Sequence, residues 1–381
     1  MIKTKQQIIE YFESGVKQTK DFRIGVEHEK FLFNNQDNKR INYSKIKDMF
    51  AALLEFGWNP ILEKKNIIGL NKGGKNITLE PGNQIELSGE KLNHIHEACA
   101  ESHDYLFELR QVTKKLDINI VSAGFDPISR LDEIPNNPKQ RYELMTKDMP
   151  LGGELSLDMM YRTCGTQLNI DYNSEKDFIK KFKIVNSIVP ISIALFANSS
   201  IVEKKNSGYL SYRSKVWQNT SRGGLPKLFF EELNFEKYAE FVMNFPILFI
   251  QNKDTYISGQ KYIFKDFMDG KIDEISNRLP TENDLTTHLS TIFTENRLKK
   301  YIELRSMDTC GWDCLCAGPA FNVGMLYGNL DEVHELVSTW DADKIINAYF
   351  EAPKKGFNTQ LMGKDLLYWS STLLNLSKKG L

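Results

Sequence analysis

Apolar positions along the chain change period several times, and each change marks an element. Ile8, Ile9 and Phe12 repeat at helical spacing; Thr4 and Gln7 have the form of a capping box, and Gly15 can end the helix. Residues 22–33, FRIGVEHEKFLF, alternate instead, as a strand does. Phe22, Ile24, Val26 and Leu32 take one side, interrupted by His28 and Lys30, while Arg23, Glu27, Glu29 and Phe31 take the other. Helical spacing returns over 44–57 and over 93–117. Residues 75–88 predict a strand broken at Pro81-Gly82, 162–172 a strand, and 175–197 one long helix. Residues 226–260 mix a helix with a strand around 247–256, and 299–305 read as a further strand. From about residue 317 the pattern is mostly helical. Interspersed helices and strands give an α+β class, and long strand separations favour an antiparallel sheet with helices on one face. No internal repeat or low-complexity linker divides the chain, so residues 1–381 read as one domain.

The polar faces of these strands carry unusual residues. TLEPGNQIELSG places Glu80 before a Pro-Gly bend and Gln84 and Glu86 after it. In RTCGTQLNID, Thr163, Gly165, Gln167, Asn169 and Asp171 share a face opposite Cys164, Leu168 and Ile170. In YIELRS, Tyr301, Glu303 and Arg305 face away from Ile302 and Leu304. A solvated face usually mixes lysine, threonine and both charges. These faces concentrate short acids and amides, and adjacent carboxylates need water, cations or a metal to stay ionised. Hard oxygen donors suit Mg²⁺ or Mn²⁺ and phosphates. Arg141, Arg162, Arg213, Arg222, Arg297 and Arg305 lie in apolar or glycine-rich contexts, and arginine binds carboxylate and phosphate through a planar fork. Arg162 has the wrong parity for the acidic face of its own strand.

Charge narrows the partners. Lys plus Arg is 49 against 50 acids, a net −1, which argues against a dedicated nucleic-acid binder. Five cysteines at uneven spacing make a poor disulfide framework and point to a reduced cytoplasmic compartment. The N-terminus shows no apolar region with a cleavage site, and the most apolar stretch, 184–202, holds too many polar groups to span a membrane. Cys310, Cys314 and Cys316 lack the second ligand pair of a zinc site and read as packing residues. There is no P-loop and no GxGxxG after a strand, so a bound nucleotide would be held by metals and arginines.

Taken together, FRIGVEHEKFLF, NIIGLNKGGKNITLEPGNQIELSG, LSLDMMYRTCGTQLNID, SYRSKVWQNTSRGGLP and HLSTIFTENRLKKYIELRSMD resemble the glutamate–cysteine ligases of the plant and proteobacterial type. The resemblance runs from about residue 6 to the C-terminus. It implies a glutamine-synthetase-like antiparallel sheet, open on the active-site face and backed by helices. It further implies ATP-dependent joining of the L-glutamate γ-carboxylate to L-cysteine through a γ-glutamyl phosphate, the first step of glutathione synthesis. A related ligase that joins glutamate to a different amine is the alternative. Carried over by motif, Glu27, Glu29, Glu80, Glu86, Gln167 and Glu303 would bind Mg²⁺ or Mn²⁺. Arg305 would meet the transferring phosphate and Arg213 would be a second phosphate or carboxylate contact. Arg141 and Arg162 would take the α-carboxylate of glutamate, with Asn169 and Trp217 lining the pocket. The expected partners are these small molecules, with no nucleic acid and no membrane, acting on a monomer or homodimer. Family members usually continue beyond the point matching Leu381, and SGQKYIFKDFMDGKIDEISNRLP lacks the cysteines tied to redox control in plants, so no plant-like disulfide switch is expected.

Overall fold

A computed structural model describes every residue except Asp254. Among the described residues the main sheet has nine strands, here numbered in chain order: β1 (Ile24–Asn34), β2 (Asn59–Glu63), β3 (Asn66–Lys72), β4 (Lys75–Leu79), β5 (Ile85–Ser88), β6 (Ile118–Val121), β7 (Gly165–Ile170), β8 (Asn296–Leu298) and β9 (Ile302–Asp308). They lie in the order β8-β9-β7-β1-β5-β4-β3-β2, with β6 pairing the far end of β1. Every neighbouring pair is antiparallel. The acid-bearing β1 is therefore central. Glu29 stands opposite Glu86 of β5, and Glu27 opposite Gln167 of β7.

The apolar faces do what the alternation demanded. Ile24, Val26, Leu168, Ile170, Ile302 and Leu304 are buried in one core with Phe178, Phe182 and Ile184 of the helix Glu175–Ser187. Leu70, Ile77, Ile85 and Leu87 pack instead with the helices Tyr43–Leu53 and Ile95–Lys115. One face of the sheet is thus sealed by helices, which leaves the other for chemistry. At about 25 cal/mol per Å² of apolar surface, these contacts are the main force that holds the sheet.

The helix Lys5–Glu13 carries the expected capping box, with the Gln7 amide donating to the Thr4 side chain. The long helix expected over 175–197 divides into Glu175–Ser187 and Val189–Leu195. Pro190 has no N–H to continue the first ladder, but it is compatible with the first turn of the second helix. The strand expected over 75–88 is two strands, and 299–305 resolves into the end of a hairpin with β9 running on to Asp308. β2 and β3 had no clean alternation; β2 is an edge strand, mostly exposed, where Pro60 is tolerated. Within 247–256, Phe249–Asn252 and a strand beginning at Thr255 form a hairpin, and residue 254 lies outside the described residues.

The cysteines lie closer together than their spacing suggests: Cys99 stands against Cys316 and Cys310 against Cys314, with Cα atoms 5.8 and 6.1 Å apart, while Cys164 is buried away from both pairs. Folding brings Cys316 against a helix 217 residues earlier in the chain, a proximity that spacing cannot express. Among the described residues no helix is long and apolar enough to cross a membrane.

Candidate active site

A cleft of about 300 Å³ opens on the uncovered face of the sheet. Its floor comes from the central strands: Glu27 and Glu29 of β1, Glu86 of β5 and Gln167 of β7. Glu80 enters from the bend between β4 and β5, and Arg297 and Arg305 from β8 and β9. Arg141, Tyr142 and Trp217 close one side, and Met145, Met160, Phe249 and Phe293 make an apolar end. Small-molecule sites commonly have this form, apolar walls around a few converging polar groups.

The bend that delivers Glu80 is tightly bound. Asn83 adopts a positive φ of 61°, and its N–H donates to the Glu80 carbonyl at 2.9 Å. Asn137 donates to the Glu80 carbonyl at 2.7 Å, and Gln84 reaches the carbonyls of Met160 at 3.1 Å and Thr163 at 3.2 Å. The Tyr142 hydroxyl, which donates to the Leu79 carbonyl at 3.0 Å, lies 3.4 Å from the Glu80 carboxylate. Gln84, grouped with the acids by spacing, is thus a brace of the turn.

The carboxylates repel one another. Burial and the nearby Glu80 push Glu29 up to about 7, against the pull of the Gly165 N–H, Arg213 and Arg305. Burial, with Glu80, Glu27 and Glu29 close by, pushes Glu86 well above the usual carboxylate range, although Thr78 donates to it at 2.9 Å. Gln167 also donates to Glu86, at 3.3 Å, and Asn169 donates to Glu27 at 2.7 Å. Carboxylates that cling to protons are short of positive charge, and a hard divalent cation would supply it. Among the described residues no three acid, histidine or cysteine side chains form a ready-made cage. Mg²⁺ does not need one, since it usually keeps waters and takes one or two carboxylates together with phosphate oxygens. The donor set fits that ion.

Other expected residues stand elsewhere. The Glu303 carboxylate is taken by Arg297, by Lys299 at 3.0 Å and by Arg305 at 3.2 Å, which hold it well below the usual carboxylate range despite burial. With its oxygens bound to three cations, Glu303 is not the free metal ligand expected. Arg162 is not at the cleft either. It ends the helix Ser156–Arg162, pairs with Asp158 at 2.9 Å and Glu203 at 3.2 Å, and lies over the Phe125 ring. It is a structural residue, as its parity hinted. Asn169 is held by Glu27 beside the lining residues. Arg213 is buried behind the floor, against Trp217 and the carbonyl of Arg305, and touches no free space of the cleft. Arg222 also turns inward, to the carbonyls of Thr291 and Pro246. Glu27, Glu29, Glu80, Glu86, Gln167, Arg141, Trp217 and Arg305 are brought together as expected.

Sequence reading named Arg297 among the fork-bearing arginines but gave it no role; it stands directly opposite Glu303 in a hairpin whose turn was not recognised. Trp217 gains a sharper role, because its indole N–H is buried with no partner and Arg213 and Arg305 flank its ring at 5.2 Å each.

The family model described as glutamate-cysteine ligase family 2 (GCS2) matches residues 23–372. The chain is 40% identical to glutamate–cysteine ligase B, chloroplastic, of Oryza sativa subsp. japonica, over 99% of this chain and 77% of that one. It is 38% identical to the chloroplastic glutamate–cysteine ligase of Arabidopsis thaliana, over 99% of this chain and 74% of that one. These relatives are chloroplastic, which overturns the cytoplasmic compartment expected from cysteine usage; cysteine spacing does not distinguish one compartment from another. In fold the chain is similar to a crystal structure of a glutamate–cysteine ligase from Francisella tularensis in complex with AMP, with a TM-score of 0.52 and 12% identity over 96% of this chain and 79% of that one. The α+β class and the open, helix-backed antiparallel sheet stand as expected. With a family model matched over most of its length and relatives at 40% identity, the chain belongs to glutamate–cysteine ligase family 2.

Proposed function

We propose that the ligase reaction of this family, the joining of L-glutamate to L-cysteine as γ-glutamylcysteine, runs here on ATP through a γ-glutamyl phosphate. The observation that carries the reading is the lining of one cleft by four glutamates, Glu27, Glu29, Glu80 and Glu86, together with three arginines, Arg141, Arg297 and Arg305. A carboxylate is a poor electrophile. An oxygen of the glutamate γ-carboxylate attacks the γ-phosphorus of ATP, and ADP leaves. The cysteine amine then attacks the acyl carbon, phosphate leaves, and the amine gives up a proton. Charge on the transferring phosphoryl group is the main thing the site must stabilise.

Arg305 reaches the cleft from β9 and meets that charge, with Arg297 beside it. Mg²⁺, when bound, would neutralise phosphate charge, held by Glu29, Glu80 and Glu86 with Glu27 at the edge of the same floor, while the Gln167 oxygen, expected as a ligand, accepts from Arg305 and steadies that arginine instead. Arg141 stacks on Tyr142 at the mouth and takes the α-carboxylate of glutamate. The unpartnered Trp217 N–H donates to a substrate oxygen. The apolar end of the cleft receives the uncharged part of the second substrate.

The test is ADP formation by the full chain with Mg-ATP and L-glutamate, with and without L-cysteine, with product identified by mass spectrometry. Full turnover should require both amino acids. Glu29→Ala should reduce it by about 100-fold or more, the scale of losing a positioned electrostatic group. Turnover that ignores Glu29→Ala contradicts the metal assignment, and ADP formation indifferent to cysteine contradicts the amine.

A further inference from the structure

The sheet is irregular where its chemistry concentrates. β9 pairs with β7 residue for residue up to Leu304 opposite Leu168, then resumes with Met307 opposite Thr166 and Asp308 opposite Gly165. Arg305 and Ser306 therefore stand against Gln167 alone. Two residues against one is a β-bulge, a feature that re-aims side chains. The extra residue reverses the alternation. Leu304 and Met307 both enter the core, and Asp308 comes round to the side of Gly165, the polar face. The Arg305 carbonyl accepts Arg213 Nη2 at 2.8 Å, while its N–H donates to the Glu295 carbonyl at 2.9 Å.

Asp308 is the buried hub of this corner. One carboxylate oxygen accepts the Ser199 hydroxyl at 2.6 Å and the Asn198 N–H at 2.8 Å. The other accepts the Ser211 hydroxyl at 2.9 Å and lies 4.0 Å from Arg213 Nη1. The Arg213 N–H in turn donates to the Ser199 hydroxyl at 3.1 Å, so both ends of Arg213 are tied to Asp308. The surroundings are cut to fit. A Cβ at Gly124 would collide with the Asp308 carboxylate carbon, and one at Gly165 would lie 2.8 Å from Arg213 Nη2.

We infer that Asp308 is a positioning residue of the ligase reaction: through Arg213 it holds the bulge that aims Arg305 into the cleft. The inference rests on the reading of Arg305 as a contact of the transferring phosphoryl group. Asp308 touches no free space in the cleft, so it acts only through its neighbours.

The test is a double-mutant cycle on the full chain: Asp308→Asn, Arg305→Lys and both together, with kcat, KM for glutamate and ATP, and a melting curve for each. Asp308→Asn keeps the volume, removes the charge facing Arg213 and turns one acceptor into a donor. It should lower kcat by about ten-fold or more, leave each KM within about three-fold, and cost less than about two-fold once Arg305 is already lysine. Equal fold-losses in both backgrounds, as a folding defect would give, overturn the inference, and so does an unchanged kcat. An Arg305→Lys enzyme with unchanged kcat/KM contradicts the phosphoryl-contact reading itself, and is recognised without touching Asp308. If Asp308→Asn is not recovered folded, Ser211→Ala in the same two backgrounds replaces it. A loss of about three-fold confined to the Arg305 background supports the inference, and equal losses overturn it.

Discussion

Glu29 and Arg162 show how burial and partners decide what a side chain is for. Glu29 ordinarily would titrate near 4.5; in the fold, burial and Glu80 move it to about 7. The folded state then keeps a proton that the unfolded chain releases, so stability is greatest below 4.5 and falls as pH rises toward about 7. Metal-free protein should therefore melt at lower temperature as pH rises through that window. Glu29→Gln should flatten part of the slope, and Mg²⁺ should raise the melting temperature most at its upper end. A slope unchanged by Glu29→Gln contradicts the assignment. Arg162 was legible as an arginine with the wrong parity, and its buried pair with Asp158 explains why. Arg162→Met should cost about 2–3 kcal/mol of stability while leaving the KM for glutamate within about two-fold, readable by denaturant melts and steady-state kinetics. Glu303 was legible as part of the site, but its role depended on Arg297 and Lys299, which only the hairpin brings to it.

At the scale of elements, alternation was a sound guide wherever the ladder is regular. It put Glu27 and Glu29 on one face of β1 and Gln167 and Asn169 on one face of β7, and the registers of those strands agree. It ends short of the bulge, because the strand read from the sequence stops at 305. Counting by twos beyond it would send Asp308 to the core with Leu304; one extra residue sends it to the polar face, and no local residue preference announces that extra residue. β2 and β3 were also illegible, because a partly exposed edge need not alternate. The bulge gives this scale its prediction. Gly165→Ala adds a methyl that would press on the Arg213 guanidinium, so kcat should fall by about ten-fold, or about 1.4 kcal/mol, with a lowered melting temperature from crowding a buried position. A fully active Gly165→Ala enzyme would mean that Arg213 has room to move without consequence.

The whole molecule is a sheet sealed by helices on one side and chemically open on the other, and that division was visible in the sequence as apolar faces set against acid-and-amide faces. What the sequence did not carry was proximity across long separations: Cys99 with Cys316, and Asp308 with Ser199 and Ser211. Those contacts join the helices behind the sheet and the loops above it to the end of β9, the strand that holds Arg305. The central claim is that the cleft activates the γ-carboxylate of glutamate by phosphorylation. The direct test is to supply glutamate labelled with oxygen-18 in that carboxylate, with Mg-ATP and L-cysteine, and to measure the label in released phosphate. Attack of the carboxylate on ATP leaves one of its oxygens bound to phosphorus, so the phosphate should carry one labelled oxygen for each γ-glutamylcysteine formed. Product formed with unlabelled phosphate would contradict the account.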